Sequence, residues 1–240
     1  MSINPSIKCR PIAVDGPAAS GKSTVSLKFA QRIGAYYANS GDLYRALTWL
    51  ALEKGMDPRG NHTRVIALLK GTDFRFSKRC SDDENELHLF LNGHPVDKEL
   101  IRSPAVTGKV SLFAKIPELR EHMVHLQREL KSLGPIVLEG RDIGTIIFPD
   151  ASHKFFITAT PEERARRRLQ QKGEVSDLAT LESLMDEIKT RDRIDSTRSV
   201  APLIPAPDAT LIDTSDLSID EVVSRMVTIF KKNVPILNPR

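Results

Sequence analysis

The stretch that most constrains this chain is Gly16-Pro17-Ala18-Ala19-Ser20-Gly21-Lys22-Ser23-Thr24, which has the spacing G-x-x-x-x-G-K-[ST]. A short apolar run before it, Ile12-Ala13-Val14, reads as a buried strand. After it Val25, Phe29, Ala30 and Ile33 recur at helical spacing. A loop joining a strand to a helix turns successive backbone N–H groups into one concavity, and the positive end of the helix dipole faces the same way. A polyphosphate fits there. Lys22, pointing into a solvated cradle, would reach the β- and γ-phosphates, and the Ser23 hydroxyl would take one place on a Mg²⁺ ion. A glycine-rich turn that matches by chance is the bland alternative, and the joint presence of both flanking elements and Lys-Ser weighs against it. The loop predicts nucleotide binding and leaves open what receives the phosphate.

With 240 residues the chain has room for one well-buried domain with an insertion, or for two small ones. Hydrophobic content of 40% and charged content of 28% are those of an ordinary folded domain. No apolar run approaches the ~20 residues needed to span a bilayer, and residues 1–11 lack the apolar core of a signal peptide, so a cytoplasmic protein with no membrane role is expected. Cys9 and Cys80 make no metal or disulfide pattern. The net charge of +4 is compatible with nucleic acid or with an enzyme that grips two phosphorylated substrates. Aromatic content of only 5%, with no alternation of aromatic and basic residues, argues against a base-stacking platform and hence against an RNA-binding ATPase.

Along the chain, residues 35–38 read as a strand, Asn39-Ser40-Gly41-Asp42 as a turn or helix start, and Tyr44, Leu47, Leu50 and Ala51 as one helical face. A short helix is expected over 63–70. Residues 73–96 alternate apolar and polar and contain Asn92-Gly93, the residues of a tight hairpin, so a small antiparallel meander is predicted there, with the acidic run 82–84 at a loop tip. A helix over 104–113 precedes a longer one. Pro117 starts the second, Leu119, Met123, Leu126, Leu130 and Leu133 form its stripe, and Gly134 ends it. Ile136-Val137-Leu138 is a buried strand running into Glu139-Gly140-Arg141-Asp142, and residues 154–158 are the next. Thr160 and Glu163 predict a capping box, followed by a loop at 173–177 and a helix from Leu181. A last strand, 209–212, and a helix boxed by Ser218 and Glu221 close the fold, leaving a loose tail from 233. The alternation predicts one α/β domain with a parallel sheet flanked by helices and a small antiparallel β insertion.

The arginines fall in two groups. Arg164, Arg167 and Arg168 share a face of the Thr160 helix, and Arg191, Asp195 and Arg198 share one if their helix continues that far. Solvated faces and a surface Arg191–Asp195 pair are the plain alternatives. Phosphoryl transfer would use such faces, because its transition state spreads negative charge over the γ-phosphoryl oxygens and needs donors placed there.

These motifs together resemble the bacterial cytidylate kinases, nucleoside monophosphate kinases with a P-loop. The resemblance runs from Ile12 to Phe230 and rests on GPAASGKST, Ser40-Gly41-Asp42-Leu43-Tyr44-Arg45, Glu139-Gly140-Arg141-Asp142-Ile143-Gly144-Thr145 with Phe148-Pro149-Asp150-Ala151, both arginine groups, and the β insertion. It implies a P-loop nucleoside monophosphate kinase fold with a core over about 8–62, 112–160 and 181–232, a monophosphate-binding insertion over about 63–111, and a mobile lid over about 161–180. The implied reaction is ATP-dependent phosphorylation of CMP and dCMP with Mg²⁺ held by Ser23, in a protein for which a monomer is expected. Ser40, Arg45 and Arg141 would hold the acceptor phosphate and ribose side, with Tyr44 packing beside the nucleotide. Ser111, Arg120 and Asp142 would read cytosine, and Arg191 with Asp195 would take the ribose hydroxyls. Lys22, Arg164, Arg168 and Arg198 would act on the transferring phosphates.

Two positions depart from the family pattern. Asn39 stands where Asp is common, and Asp42, where a small apolar residue is usual, adds negative charge beside an anion site. Another P-loop small-molecule kinase, acting on UMP or a different acceptor, is the rival reading, and it has no need of the hairpin insertion together with Ser111, Arg120 and Asp142.

Overall fold

Strand β1 (Ile12–Asp15) is the centre of a five-stranded parallel sheet ordered β2-β6-β1-β7-β8, the others being β2 (Tyr36–Asn39), β6 (Ile136–Gly140), β7 (His153–Thr158) and β8 (Thr210–Asp213). The computed structural model describes residues 10–60, 62–78, 85–171, 175 and 179–232. Both faces of such a sheet are covered at its centre, which is why Ile12-Ala13-Val14 of β1 and Ile136-Val137-Leu138 of β6 read as unbroken apolar runs. Ile12 and Val14 pack on one side with helices α1 (Lys22–Ile33) and α9 (Ile219–Lys232), while Ala13 packs on the other with Leu138, Ile143 and Phe148. Phe29 of α1 meets Phe155 and Phe230 edge-on, with ring centres 5.6 and 5.8 Å apart. That cluster clamps the helix following the Gly-rich loop onto the sheet.

The expected meander is present as β3 (Phe74–Lys78), β4 (Leu87–Leu91) and β5 (His94–Pro95), paired antiparallel. Asn92 and Gly93 turn the chain with φ of 48° and 81°, a left-handed pair that those two residue types tolerate best. Phe74, Leu89 and Leu91 bury their side chains in a second core with α2 (Ser40–Glu53), α3 (His62–Lys70), α5 (Pro104–Phe113) and α6 (Pro117–Glu129). Between them the sequence reading missed α4 (Lys98–Arg102), a short helix capped by the Asp97 carboxylate, which accepts from Glu99 N–H at 2.8 Å.

Three other expectations need correction. The long helix after Pro117 ends at Glu129 and tightens into a 3₁₀ turn, Leu130–Leu133, which rotates Leu133 off the apolar stripe to 36% exposure. The capping box of α7 (Pro161–Leu169) is half made: Thr160 Oγ1 accepts from Glu163 N–H, but the Glu163 carboxylate turns to Arg167 instead. Helix α8 (Leu181–Thr197) stops one residue before Arg198, which is already extended. At α9 the box is complete, with Ser218 N–H donating to Glu221 Oε2 at 2.8 Å and Glu221 N–H to Ser218 Oγ at 3.3 Å. Cys9, Cys80, the run 82–84, the tail from 233 and, apart from Val175, the loop 173–177 lie outside the described residues. No helix among the described residues is long and apolar enough to cross a membrane.

Candidate active site

The Gly-rich loop leaves the carboxyl end of β1, the edge at which open parallel sheets place their sites. At Gly16 a Cβ would stand 2.0 Å from the carbonyl oxygen of Ile157 on the neighbouring strand, so the loop can start here only without a side chain. Ala18, Ala19, Ser20, Gly21, Lys22, Ser23 and Thr24 then line a polar cavity, joined by Arg45, Arg102, Glu139, Arg141, Arg168 and Arg191. Lys22 differs from the expected solvated side chain. It is 6% exposed, and its Nζ donates to Pro17 O at 2.8 Å, folding back onto the loop. Burial lowers its pKa to about 7, helped by the Arg141 and Arg191 charges and opposed by Glu139. Ser23 Oγ donates to Glu139 Oε1 at 2.7 Å, while Glu139 Oε2 has no partner. Burial raises the Glu139 carboxyl, and Lys22 and Ser23 hold it down.

Helix α7 packs three of its four arginines toward this loop, and each is used differently, while Arg166 pairs with Glu162 on the outer face. Arg164 is 4% exposed and forks onto Asp192 of α8, at 3.0 and 2.5 Å, while donating to Ala159 O and Ala18 O. Arg167 ties the helix to Ser20 O and to Thr214 just past β8. Only Arg168 of the three lines the cavity, and its Nε has no partner. Arg164 and Arg167 thus fasten α7 to the loop, and Arg168 faces the cavity.

A second cavity adjoins the first. Its wall includes Ser40, Tyr44, Arg45, Ser111, Arg120, Arg141, Asp142, Arg191, Asp195 and Arg198, so every residue expected to bind the acceptor is brought together. The Arg120 guanidinium is 2% exposed, hydrogen-bonds Asp142 Oδ2, and lies over the Tyr44 ring with its Cζ 5.4 Å from the centroid. Burial pushes the Tyr44 hydroxyl up to about 12. Asp195 is 3% exposed and accepts from Arg141 Nε at 3.0 Å, which rules out the plain alternative of a surface pair with Arg191. Burial would raise its carboxyl, but Arg141, Arg191 and Arg198 outweigh that and hold it below the usual range. Arg191 is lowered to about 9, by burial first and then by Arg141. Arg198 lines this cavity and not the loop cavity: its Nη2 is 3.7 Å from Asp142, its Nη1 3.9 Å from Asp195, and its Nε donates to Ala201 O.

Arg45, Arg141 and Arg191 line both cavities, so three guanidinium groups stand where two phosphorylated ligands would meet. Several polar atoms of the lining side chains have no hydrogen-bond partner: Glu139 Oε2, Arg168 Nε, Arg191 Nε and Arg198 Nη2. Buried polar atoms are normally satisfied, so this concentration marks a place where ligand completes the network. The hydroxyl of Ser23 beside a carboxylate with an unused oxygen is a donor set suited to a hard, oxygen-liganded cation such as Mg²⁺.

The sequence reading quoted Glu139 and Asp192 inside motifs without giving either a role, and it passed over Arg102 and Asp15. A polar residue ending a buried strand was the available signal for Glu139 and Asp15, and nothing local marked Arg102. Asp42, the charge that departs from the family pattern, is turned toward Arg102, 3.5 Å away. Burial raises its carboxyl while Arg102, Lys98 and Arg45 pull the other way. Asn39 caps α2, its Oδ1 accepting from Gly41 N–H at 2.8 Å.

The fold and the paired cavities define a P-loop protein built to hold a polyphosphate against a second anionic ligand. The sequence model of the family described as Cytidylate kinase matches residues 12–232, and the chain belongs to that family. It is 44% identical to a cytidylate kinase of Pelotomaculum thermopropionicum over 216 residues, covering 90% of this chain and 93% of that one. Over 225 residues it is 43% identical to a bifunctional pantoate ligase/cytidylate kinase of Prochlorococcus marinus, where 93% of this chain spans 42% of the relative. An uncharacterized protein from Eubacterium ventriosum, of known crystal structure, has the same fold at a TM-score of 0.52 and 11% identity, with 94% of this chain and 99% of that one covered.

Proposed function

We propose that this protein transfers the γ-phosphoryl group of ATP to CMP and dCMP, giving CDP and dCDP. The observation that carries the reading is the wall of Arg45, Arg141 and Arg191 common to the two cavities, one lined by the phosphate loop and the other by Ser111, Arg120 and Asp142. The loop N–H groups and Lys22 bind the polyphosphate, with Lys22 leaving Pro17 O as it does so. Arg168 and the shared arginines neutralise charge on the group in transit, which is where most of the rate enhancement in such transfers resides. Ser23 and Glu139 would hold Mg²⁺, directly or through water, and the ion would supply charge neutralisation of the polyphosphate.

On the acceptor side Ser40, Arg45 and Arg141 grip the monophosphate, and Tyr44 packs beside the nucleoside. Cytosine offers an exocyclic amine donor with O2 and N3 acceptors, which Asp142 and the donors Arg120 and Ser111 complement. Asp195, kept ionised and acceptor-only by its arginines, takes the ribose hydroxyls with Arg191. Arg164 serves by fastening the lid helix to the loop through Asp192 and Ala18. Residues 161–180 act as the lid and 63–111 as the acceptor-binding unit. The protein works as a single chain in the cytoplasm.

Steady-state kinetics with CMP, dCMP, UMP and AMP at fixed Mg-ATP test the reading. CMP and dCMP should have the highest kcat/KM, UMP a lower one, and AMP none above background. A preference for AMP, or equal use of CMP and UMP, would refute it.

A further inference from the structure

The last residue of β1, Asp15, lies immediately before the phosphate loop and is 4% exposed. Its Oδ1 accepts from Ile143 N–H at 2.8 Å and its Oδ2 from Gly144 N–H at 2.7 Å. These are the first two backbone donors of a π-helical turn, Ile143–Ile147, that follows β6, and the residue at the capping position of that turn is Asp142. The Asp142 carbonyl accepts from Ile146 N–H at 2.9 Å and Ile147 N–H at 3.2 Å, as a cap residue's does, but its side chain caps nothing. Aspartate is among the strongest capping residues, and a carboxylate next to exposed helical N–H groups ordinarily bonds them. Here those donors are already taken by a carboxylate 128 and 129 residues earlier in the chain, and the Asp142 side chain is engaged with Arg120 and Arg198 instead.

We infer that Asp15 is a positioning residue for acceptor choice: by capping the turn after Asp142 from the neighbouring strand, it releases the Asp142 carboxylate into the acceptor cavity. Without Asp15, Asp142 swings back onto the amides of its own turn and leaves Arg120 unpaired. Asp15 therefore acts on the acceptor site through Asp142, although it adjoins the loop that binds the donor. This inference rests on the base-reading role proposed for Asp142.

Asp15→Asn keeps the shape of the side chain but is uncharged and has one acceptor for two amides, and Asp15→Ser, smaller and equally uncharged, serves as the second variant if the isostere does not fold. Each is compared with Asp142→Ala by steady-state kinetics with CMP, UMP and ATP. The expected result for the Asp15 variants is a rise of about tenfold in the KM for CMP, a reduced CMP-to-UMP ratio of kcat/KM, and a KM for ATP within about twofold of the parent, the scale being one charge-assisted hydrogen bond. Equal rises for CMP and ATP, or no change in either, would reduce Asp15 to a structural residue and overturn the inference. If Asp142→Ala loses discrimination between CMP and UMP while Asp15→Asn and Asp15→Ser keep it, the inference alone fails. If Asp142→Ala keeps it, the base-reading role fails and the inference goes with it.

Discussion

Removing the Asp195 carboxylate separates two tasks that its position allows. In the structure its Oδ2 accepts from Arg141 Nε at 3.0 Å and its Oδ1 lies 3.9 Å from Arg198 Nη1, so it orients arginines of the acceptor cavity. The proposed mechanism also has it accept from the ribose hydroxyls. Asp195→Ala deletes the hydrogen bond to Arg141, worth about 1.5–3 kcal/mol for a charged partner, for every acceptor alike. That converts to a fall of roughly 10- to 100-fold in kcat/KM with dCMP. CMP loses in addition the contact to its 2′-hydroxyl, about 1–2 kcal/mol, or a further 5- to 30-fold. The assay is kcat/KM for both acceptors at saturating Mg-ATP, and Asp195→Asn, which keeps one acceptor oxygen, should fall between. Equal losses for CMP and dCMP would refute the ribose contact and leave only the orienting role. A stability measurement accompanies it. The carboxyl is held below its ordinary value of 3.8, so the stabilisation it contributes is present above that pH and is lost as pH falls through the lowered value. Asp195→Asn should flatten the acid side of the wild-type stability curve, seen by denaturant unfolding at a series of pH values.

Lys22→Ala should reduce turnover by about a thousandfold, the scale of a lost transition-state donor, and near-normal single-turnover rates would remove Lys22 from the chemistry. Because burial holds Lys22 at about 7 in the free protein, a bound polyphosphate should recharge it, so ATP binding near pH 8 takes up protons and does so less at pH 6, where the ammonium is already formed. Calorimetry in buffers of different ionisation enthalpy reads that uptake, and buffer-independent heats at pH 8 would contradict it. Gly16→Ala forces a methyl 2.0 Å from Ile157 O and should cost about 3 kcal/mol or more, a fall in Tm of at least about 6 °C by thermal melting. A variant melting with the parent would show that the loop can leave the sheet with a side chain present.

The phosphate loop between a strand and a helix, the alternation of buried strands with amphipathic helices, and the Asn92-Gly93 hairpin were all legible in the sequence. Each is set by neighbours within a few residues, through backbone preference or the spacing of apolar side chains. The acceptor residues were legible only as motifs, and the tertiary structure decided what each charge meets. Lys22 donates to Pro17 O, and its burial beside Arg141 disfavours the charged form, neither of which its place in the motif reveals. Arg164 and Arg168 look alike on one helix turn, yet one is bound by Asp192 and the other lines the loop cavity with its Nε unpaired, a difference set by which α8 side chain stands opposite each. Residues 143–147 are mostly β-branched and favour a strand on their own. They form a turn because Asp15, brought beside them by the pairing of β1 with β6, holds its first two amides. Ser23 finds Glu139 across 116 residues for the same reason. Local patterns determine the elements, whereas the partner of a buried charge is whatever group the completed sheet brings within about 3 Å of it, since an unpaired charge there is costly.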